Sequence, residues 1–304
     1  MMEIQYIDLQ VNGYAGVDFN SDVLSAEMLH KSCAQLKIDN VAGILATVIT
    51  ADIPVMQARL QRLVSLRQQD PLIAEIIKGF HIEGPFLSAE PGFRGAHPQG
   101  WIREANVDDM KRLLDAADGL TKIVTLAPEM DDDFKVIRFL SGQNMWVSAG
   151  HCNPDYDQLR AAIDAGVSMF THLGNGCPQI LPRHDNIIER ALACRDDLWL
   201  CFIADGIHIP FFALRNYLKI AGTEKTIIVS DAMAAAAAPP GQYRLSELEL
   251  EVGEDRIVRE LGKENFAGSA CTMSLSYENL INHVNCTPSQ AKKITFENPL
   301  AAIA

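Results

Sequence analysis

The sequence predicts an α/β fold: a (β/α)8 barrel of the TIM type, formed as one domain over residues 1–304. Three observations carry this expectation. Eight short apolar runs recur along the chain, amphipathic helical patterns separate them, and five of the runs end on a histidine or an acidic residue.

The runs are Ile4–Val11, Val41–Thr50, Ile76–Glu83, Lys122–Pro128, Met145–His151, Val167–His172, Leu198–Asp205 and Thr226–Asp231. Each is almost continuously apolar, which suits parallel strands covered on both faces. Between them, Ser25–Lys37, Ile53–Arg67, Val107–Ala117, Asp155–Ala165 and Pro210–Ile220 repeat apolar residues at three- and four-residue spacing, as crossover helices do. Eight such alternations favour a closed barrel over an open doubly wound sheet. The open sheet would carry a glycine-rich phosphate turn after its first strand, and Asn12-Gly13-Tyr14-Ala15-Gly16 matches that poorly. Ala234–Gly241 reads as a small-residue loop at the barrel mouth.

Composition excludes several classes of function. With 48% hydrophobic and 21% charged residues in 304, the chain has an ordinary globular balance. A net charge of −13 without a basic run argues against a nucleic-acid or anionic-membrane surface. No basic-then-apolar leader opens the chain, and no apolar stretch reaches membrane-spanning length. Seven cysteines, an odd number with no CxxC pair, fit a reduced cytoplasmic protein whose thiols serve as small core residues.

In such barrels chemistry collects at the C-terminal ends of the strands. The third run ends His81-Ile82-Glu83, the fifth Gly150-His151, the sixth Thr171-His172, the seventh leads through Asp205 to His208, and the eighth ends Ser230-Asp231. One buried polar strand end has many structural explanations, but five together indicate a site. Glu83, His151 and His172 form a carboxylate–imidazole set suited to a catalytic zinc-like ion with a position left for water. Asp231 is then the free carboxylate that takes a proton from water and passes it to the leaving group. His97 and His208 are expected at substrate or oxyanion contacts. His81, two residues before Glu83, is expected one layer deeper in a structural role. Cys152 and Cys177 are a competing ligand set, disfavoured because no regular Cys/His spacing supports them.

The segments DLQVNGYAGVDF (8–19), HIEGPF (81–86), GAH (95–97), TLAPE (125–129), AGH (149–151), THLGNG (171–176), ADGIH (204–208), VSDA (229–232) and AGSACTM (267–273) occur in order along nearly the whole chain. They resemble the N-acetylglucosamine-6-phosphate deacetylases of the amidohydrolase superfamily. The resemblance implies one divalent metal, usually zinc, on Glu83, His151 and His172, with Asp231 as general acid and base. It further implies that His97 assists the carbonyl oxygen and His208 contacts the sugar. The phosphate would be held by backbone N–H groups at Asn175 and Gly176 and by Arg183 reaching in from a partner subunit, which makes a homodimer the expected active unit. For Arg183, a plain solvent-facing arginine is the alternative. Many amidohydrolases carry His-x-His on the first strand and bind a second metal; Gln10-Val11-Asn12 replaces both imidazoles here and points to a single metal.

Three departures from the family pattern concern the substrate end. The chain is expected to lack the family's small β-domain. Asn175-Gly176-Cys177 stands where the family has Asn-Ala-Met, and Pro154 where it has a small residue. The stretch Leu87–Arg94 is slightly long. The expected reaction is metal-dependent hydrolysis of the N-acetyl group of a hexosamine 6-phosphate. The alternatives are deacylation of another N-acyl amino sugar, such as the galactosamine isomer, or of an N-acyl amino acid, and a barrel that binds a sugar phosphate without turning it over.

Overall fold

The computed structural model describes residues 4–262 and 266–303. All eight expected strands form: β1 (Tyr6–Val11), β2 (Val41–Ile49), β3 (Ile77–Glu83), β4 (Thr121–Leu126), β5 (Trp146–Ala149), β6 (Val167–Phe170), β7 (Trp199–Ile203) and β8 (Thr226–Val229). They pair in chain order, and every neighbouring pair is parallel. β1 meets β8 through an isolated parallel bridge between Val11 and Ala232, which brings the two edges of the sheet together as a barrel.

The expected crossover helices are α1 (Ala26–Ile38), α2 (Ile53–Gln69), α4 (Val107–Ala116), α6 (Tyr156–Ala165) and α8 (Phe211–Ala221). Their ends follow local chemistry. Ser25, Asp52 and Asn106 cap the first three through side-chain oxygens, and Asp155 with Gln158 forms a reciprocal capping box before α6. The further α-helices among the described residues are α3 (Pro71–Ile76), α5 (Lys135–Ser141), α7 (Ile187–Ala193), α9 (Met273–Asn282), α10 (Pro288–Lys292) and α11 (Asn298–Ile303).

The barrel interior is layered. Ile7, Leu9, Leu45, Ile123, Met169, Cys201, Ile203, Ile227 and Val229 form the apolar layers, closed below by Ala302 of α11. Thr125 and Thr171, two residues beyond Ile123 and Met169, begin a polar layer. His81 Nε2 meets the Thr125 hydroxyl at 2.7 Å, and Thr125, Thr171 and Ser148 continue in contacts of 2.6 Å each. Glu83, His151 and His172 follow these residues toward the mouth.

The sequence reading ended β8 with a simple loop at 234–241. The structure instead leads from it into a three-stranded antiparallel sheet, β9 (Gly241–Leu245), β10 (Leu248–Val252) and β11 (Val258–Glu260). Leu245, Leu250, Val252 and Val258 pack on Ile49, Met233, Ala234 and Ala235. The sheet therefore covers the loop that follows Asp231 on the β1–β2 side of the mouth. Arg256 stitches it there by donating to the carbonyls of Ala235, Ala238 and Ala270.

Candidate metal centre and active site

Five strand ends deliver the expected side chains to one place. Glu83, at the end of β3, is buried, and its Oε1 lies 3.2 Å from His172 Nε2 and 3.3 Å from His151 Nε2. The His151 and His172 rings stand edge to face with centroids 4.9 Å apart. Two ligands about 2.0–2.1 Å from a tetrahedral ion lie about 3.3–3.4 Å from each other, so these separations suit a zinc-sized cation.

Among the described residues, the group whose ligand atoms all lie within 4.8 Å of one another is Glu83, His97 and His151, so it takes in His97 and leaves out His172, which meets Glu83 alone at 3.2 Å. His97 therefore belongs to the same cluster, although the sequence reading gave it a role at the carbonyl oxygen. Its Nδ1 is 2.8 Å from the Thr50 hydroxyl, which leaves Nε2 for the site. Neither Cys152 nor Cys177 belongs to a metal-holding group among the described residues.

Electrostatics fit a cation. Burial raises the Glu83 pKa, but hydrogen bonds from His151 and His172 outweigh it and hold the carboxyl well below its usual range. Burial lowers that of His172, yet its bond to Glu83 and the carboxylate charge leave it raised overall. The Glu83 carboxylate thus stands ionised among imidazoles, as a metal ligand must. Burial, followed by the neighbouring His151, pushes His97 down to about 3, and burial pushes His81 down to about 4, so both are neutral imidazoles near pH 7.

Close packing fixes the His151 ring. Its Nδ1 lies 2.8 Å from the Phe93 carbonyl oxygen, supplied by the long stretch before His97. A Cβ at Gly95 would fall 2.9 Å from Cε1, and one at Gly176 would fall 2.7 Å from Nδ1. Glycine at both positions therefore lets two loops close over the imidazole. His151, His172 and Asp231 all leave their strands with positive φ, at 51°, 30° and 50°. Non-glycine residues hold this conformation only where surrounding contacts fix it, as is common at functional sites.

Asp231 lies beyond β8, and Asn12 Nδ2 donates to its Oδ1 at 2.8 Å. Burial raises its pKa to about 6, His172 opposes the rise and Glu83 adds to it. Gln10 Nε2 donates to both oxygens of Glu83 at 3.2 Å. The amides in place of the first-strand histidines thus serve as donors to the site's two carboxylates. A register shift between Asp8 and Val11 makes this possible. β1 advances three residues while β2 advances two, so Gln10 reaches the mouth even though Leu9 faces the interior.

His208 Nδ1 contacts Asp205 Oδ2 at 2.6 Å, while Asp205 Oδ1 accepts the N–H groups of Ile207 and His208. This arrangement leaves His208 Nε2 for a ligand. Around the expected phosphate end, the Asn175 N–H is already committed to the His172 carbonyl at 3.0 Å, as is its Nδ2 at 3.1 Å. Asn175 therefore shapes the turn, and the Gly176 N–H is the backbone donor left over among the described hydrogen bonds. Arg183 is exposed on the loop before α7 and has no partner among the described residues.

The sequence places Asp205 at a strand end without giving it a role, and it does not reveal Thr50, Phe93 or the pairing of Gln10 and Asn12 with the carboxylates. The Asp-x-x-His spacing of 205–208 was the signal available for Asp205. Thr50 and Phe93 gave none, because a hydroxyl and a carbonyl oxygen acquire meaning only from what folds against them.

No family model matches the chain. It is 32% identical over 297 residues to the N-acetylglucosamine-6-phosphate deacetylase of Bacillus subtilis (strain 168), covering 96% of this chain and 72% of that protein. It is 30% identical over 286 residues to the N-acetylgalactosamine-6-phosphate deacetylase of Escherichia coli O157:H7, covering 94% and 74%. Among solved structures, a mutant N-acetyl-D-glucosamine-6-phosphate deacetylase from Mycobacterium smegmatis in complex with N-acetyl-D-glucosamine-6-phosphate aligns with a TM-score of 0.88 at 28% identity, covering 98% of this chain and 77% of that one. The Pasteurella multocida enzyme of the same name aligns at 0.86 and 27%, covering 99% and 76%. With the eight-stranded barrel and the convergence of Glu83, His151, His172 and Asp231, these likenesses establish that the chain belongs to the N-acetylglucosamine-6-phosphate deacetylase family of amidohydrolases.

Proposed function

We propose that this protein hydrolyses the N-acetyl group of a hexosamine 6-phosphate, N-acetylglucosamine-6-phosphate first, giving acetate and the amino-sugar phosphate. The observation that carries this reading is the position of Asp231: a buried carboxylate held by Asn12 beside the Glu83–His151–His172 cluster. Glu83, His151 and His172 would hold one divalent ion, with zinc favoured by a carboxylate–imidazole set. When bound, it supplies a Lewis acid that polarises the acetyl carbonyl and acidifies water.

The chain's own residues do the rest. Asp231 takes a proton from the attacking water and returns it to the sugar nitrogen as the C–N bond breaks. His97, neutral and anchored by Thr50, supports the carbonyl oxygen as negative charge develops there. His208, oriented by Asp205, contacts the sugar. Gly176 and Asn175 shape the phosphate end, and Arg183 reaches the phosphate of a neighbouring subunit in a homodimer. Residues 1–304 act as one barrel domain with the 241–260 sheet as an insertion. Seven unpaired thiols suit a reducing cytoplasm, and the negative net charge speaks against nucleic-acid or membrane partners.

Acetate release from the metal-loaded protein tests this reading, comparing N-acetylglucosamine-6-phosphate with its galactosamine isomer. The likeness to the E. coli galactosamine enzyme makes that isomer the second candidate. Asp231→Asn should keep the metal yet slow turnover by roughly 10²–10⁴-fold. Turnover near the parent level in the metal-loaded variant would show that another group carries the proton.

A further inference from the structure

Asp8 of β1 and Asn12, the residue just beyond its end, converge on one short segment of the opposite barrel edge. Backbone ladders join seven neighbouring strand pairs. Where β1 meets β8, by contrast, contact rests on the Val11–Ala232 bridge, with the N–H groups of Asn12 and Gly13 both donating to the Ala232 carbonyl. Below this bridge a side chain takes over. The Ser230 N–H donates to Asp8 Oδ1 at 3.2 Å, and the Ser230 hydroxyl donates to Asp8 Oδ2. That same hydroxyl oxygen accepts the Ala232 N–H at 3.0 Å. Asp8 thereby fastens both chain neighbours of Asp231, one directly and the other through Ser230.

Asp231 sits between them with φ of 50°, a conformation that the regular strand before it does not impose. Its carbonyl accepts the Ser269 N–H at 2.9 Å, and Asn12 occupies its Oδ1. We propose that Asp8 and Asn12 are paired positioning residues for Asp231. Asp8 locks the strained backbone across the barrel seam, while Asn12 fixes one carboxylate oxygen and leaves Oδ2 to handle the proton. The proposal rests on the reading of Asp231 as general acid and base.

The choice of aspartate at position 8 supports it. Three donors converge there: the Ser230 N–H, the Ser230 hydroxyl and the Gln10 N–H. A carboxylate offers acceptors to all three, whereas an amide would turn its NH2 toward one of them. Asp8 is only 2% exposed and has no basic partner among the described residues. A buried, unpaired carboxylate lowers stability, so geometry at Asp231 is the compensating gain.

The test is steady-state kinetics on the metal-loaded enzyme with N-acetylglucosamine-6-phosphate, comparing the parent, Asn12→Ala, Asp8→Asn, Asp231→Asn and the Asn12→Ala/Asp231→Asn double variant. Asn12→Ala should lower kcat roughly 10- to 100-fold, with KM within about twofold and metal content unchanged. Asp8→Asn should lower kcat in the same way. In the Asp231→Asn background, Asn12→Ala should have little further effect, because it acts through a carboxylate no longer present. The proposal is overturned if Asn12→Ala retains parental kcat, if it loses metal and KM together, or if it costs the same factor with and without Asp231. Should Asp8→Asn fail to fold, the Asn12 cycle decides alone. Parental activity in Asp231→Asn would instead sink the assignment of Asp231 itself.

Discussion

The two ends of the barrel are built by opposite rules. At the floor, Trp146 and Trp199, the first residues of β5 and β7, meet edge to face with centroids 6.1 Å apart. The Trp146 indole N–H donates to the Ala302 carbonyl at 2.6 Å, and α11 packs Ala302 and Ile303 against the apolar interior. At the mouth, His151, His172 and Asp231 hold positive φ, Glu83 and Asp231 are buried carboxylates, and His172 Nδ1 has no partner among the described residues. The difference shows where stability is stored and where it is given up for chemistry.

Four experiments would break or sharpen this contrast. The largest effect is expected at the mouth. His172→Ala should abolish both bound metal and turnover while leaving the far-ultraviolet circular dichroism of a folded barrel. Elemental analysis of the parent should give about one divalent ion per chain. A ratio near two would defeat the single-site reading of Gln10 and Asn12.

At the floor the signature should reverse. Met169→Ala, in the apolar interior, should lower unfolding free energy by about 2–5 kcal/mol in denaturant titrations. Turnover per folded molecule at low temperature should stay near the parent value. Equal losses of stability and turnover would show that the two ends are coupled.

On the rim of the mouth, Arg183→Ala should cost about 1.5–3 kcal/mol of binding, read as a raised KM for the phosphorylated sugar. Weak turnover of the unphosphorylated analogue should not change. Equal damage to both substrates would assign Arg183 to the fold or the interface, and full activity in a protein that stays monomeric would exclude the cross-subunit contact.

The last test reads a slope rather than a loss of activity. Burial pushes the Asp8 carboxyl up to about 7, against hydrogen bonds from Ser230 and Gln10 that pull it down. Because its folded value lies above its unfolded one, the stability linked to its proton is complete below about pH 4 and is lost as pH rises toward 7. Asparagine does not titrate. The stability of the parent relative to Asp8→Asn should therefore fall by up to about 1.4 kcal/mol per pH unit across that window and level off above it. A flat difference would mean that Asp8 titrates as it does in the unfolded chain.

How legible these regions were in the sequence also differs. All eight barrel strands could be read, since parallel strands covered on both faces must be continuously apolar, and a polar residue ending such a run stands out. Glu83, His151, His172, Asp205 and Asp231 were visible for that reason. The 241–260 sheet was overlooked, although Leu248-Glu249-Leu250-Glu251-Val252 alternates with the period of a half-buried strand. Its short strands interleave with charged residues, so the stretch read as the continuation of a surface loop.

By itself, the sequence determined the barrel, the strand ends that carry chemistry and the amides that replace imidazoles at and just beyond the end of β1. Each is a local property of composition and period. Tertiary structure alone decided that Asn12 would grip Asp231, 219 residues away, that Gln10 would straddle Glu83, and that His97 would join the cluster around His151. Those pairings arise from barrel closure and from a register shift in β1, which bring together groups whose separation along the chain carries no trace of the contact.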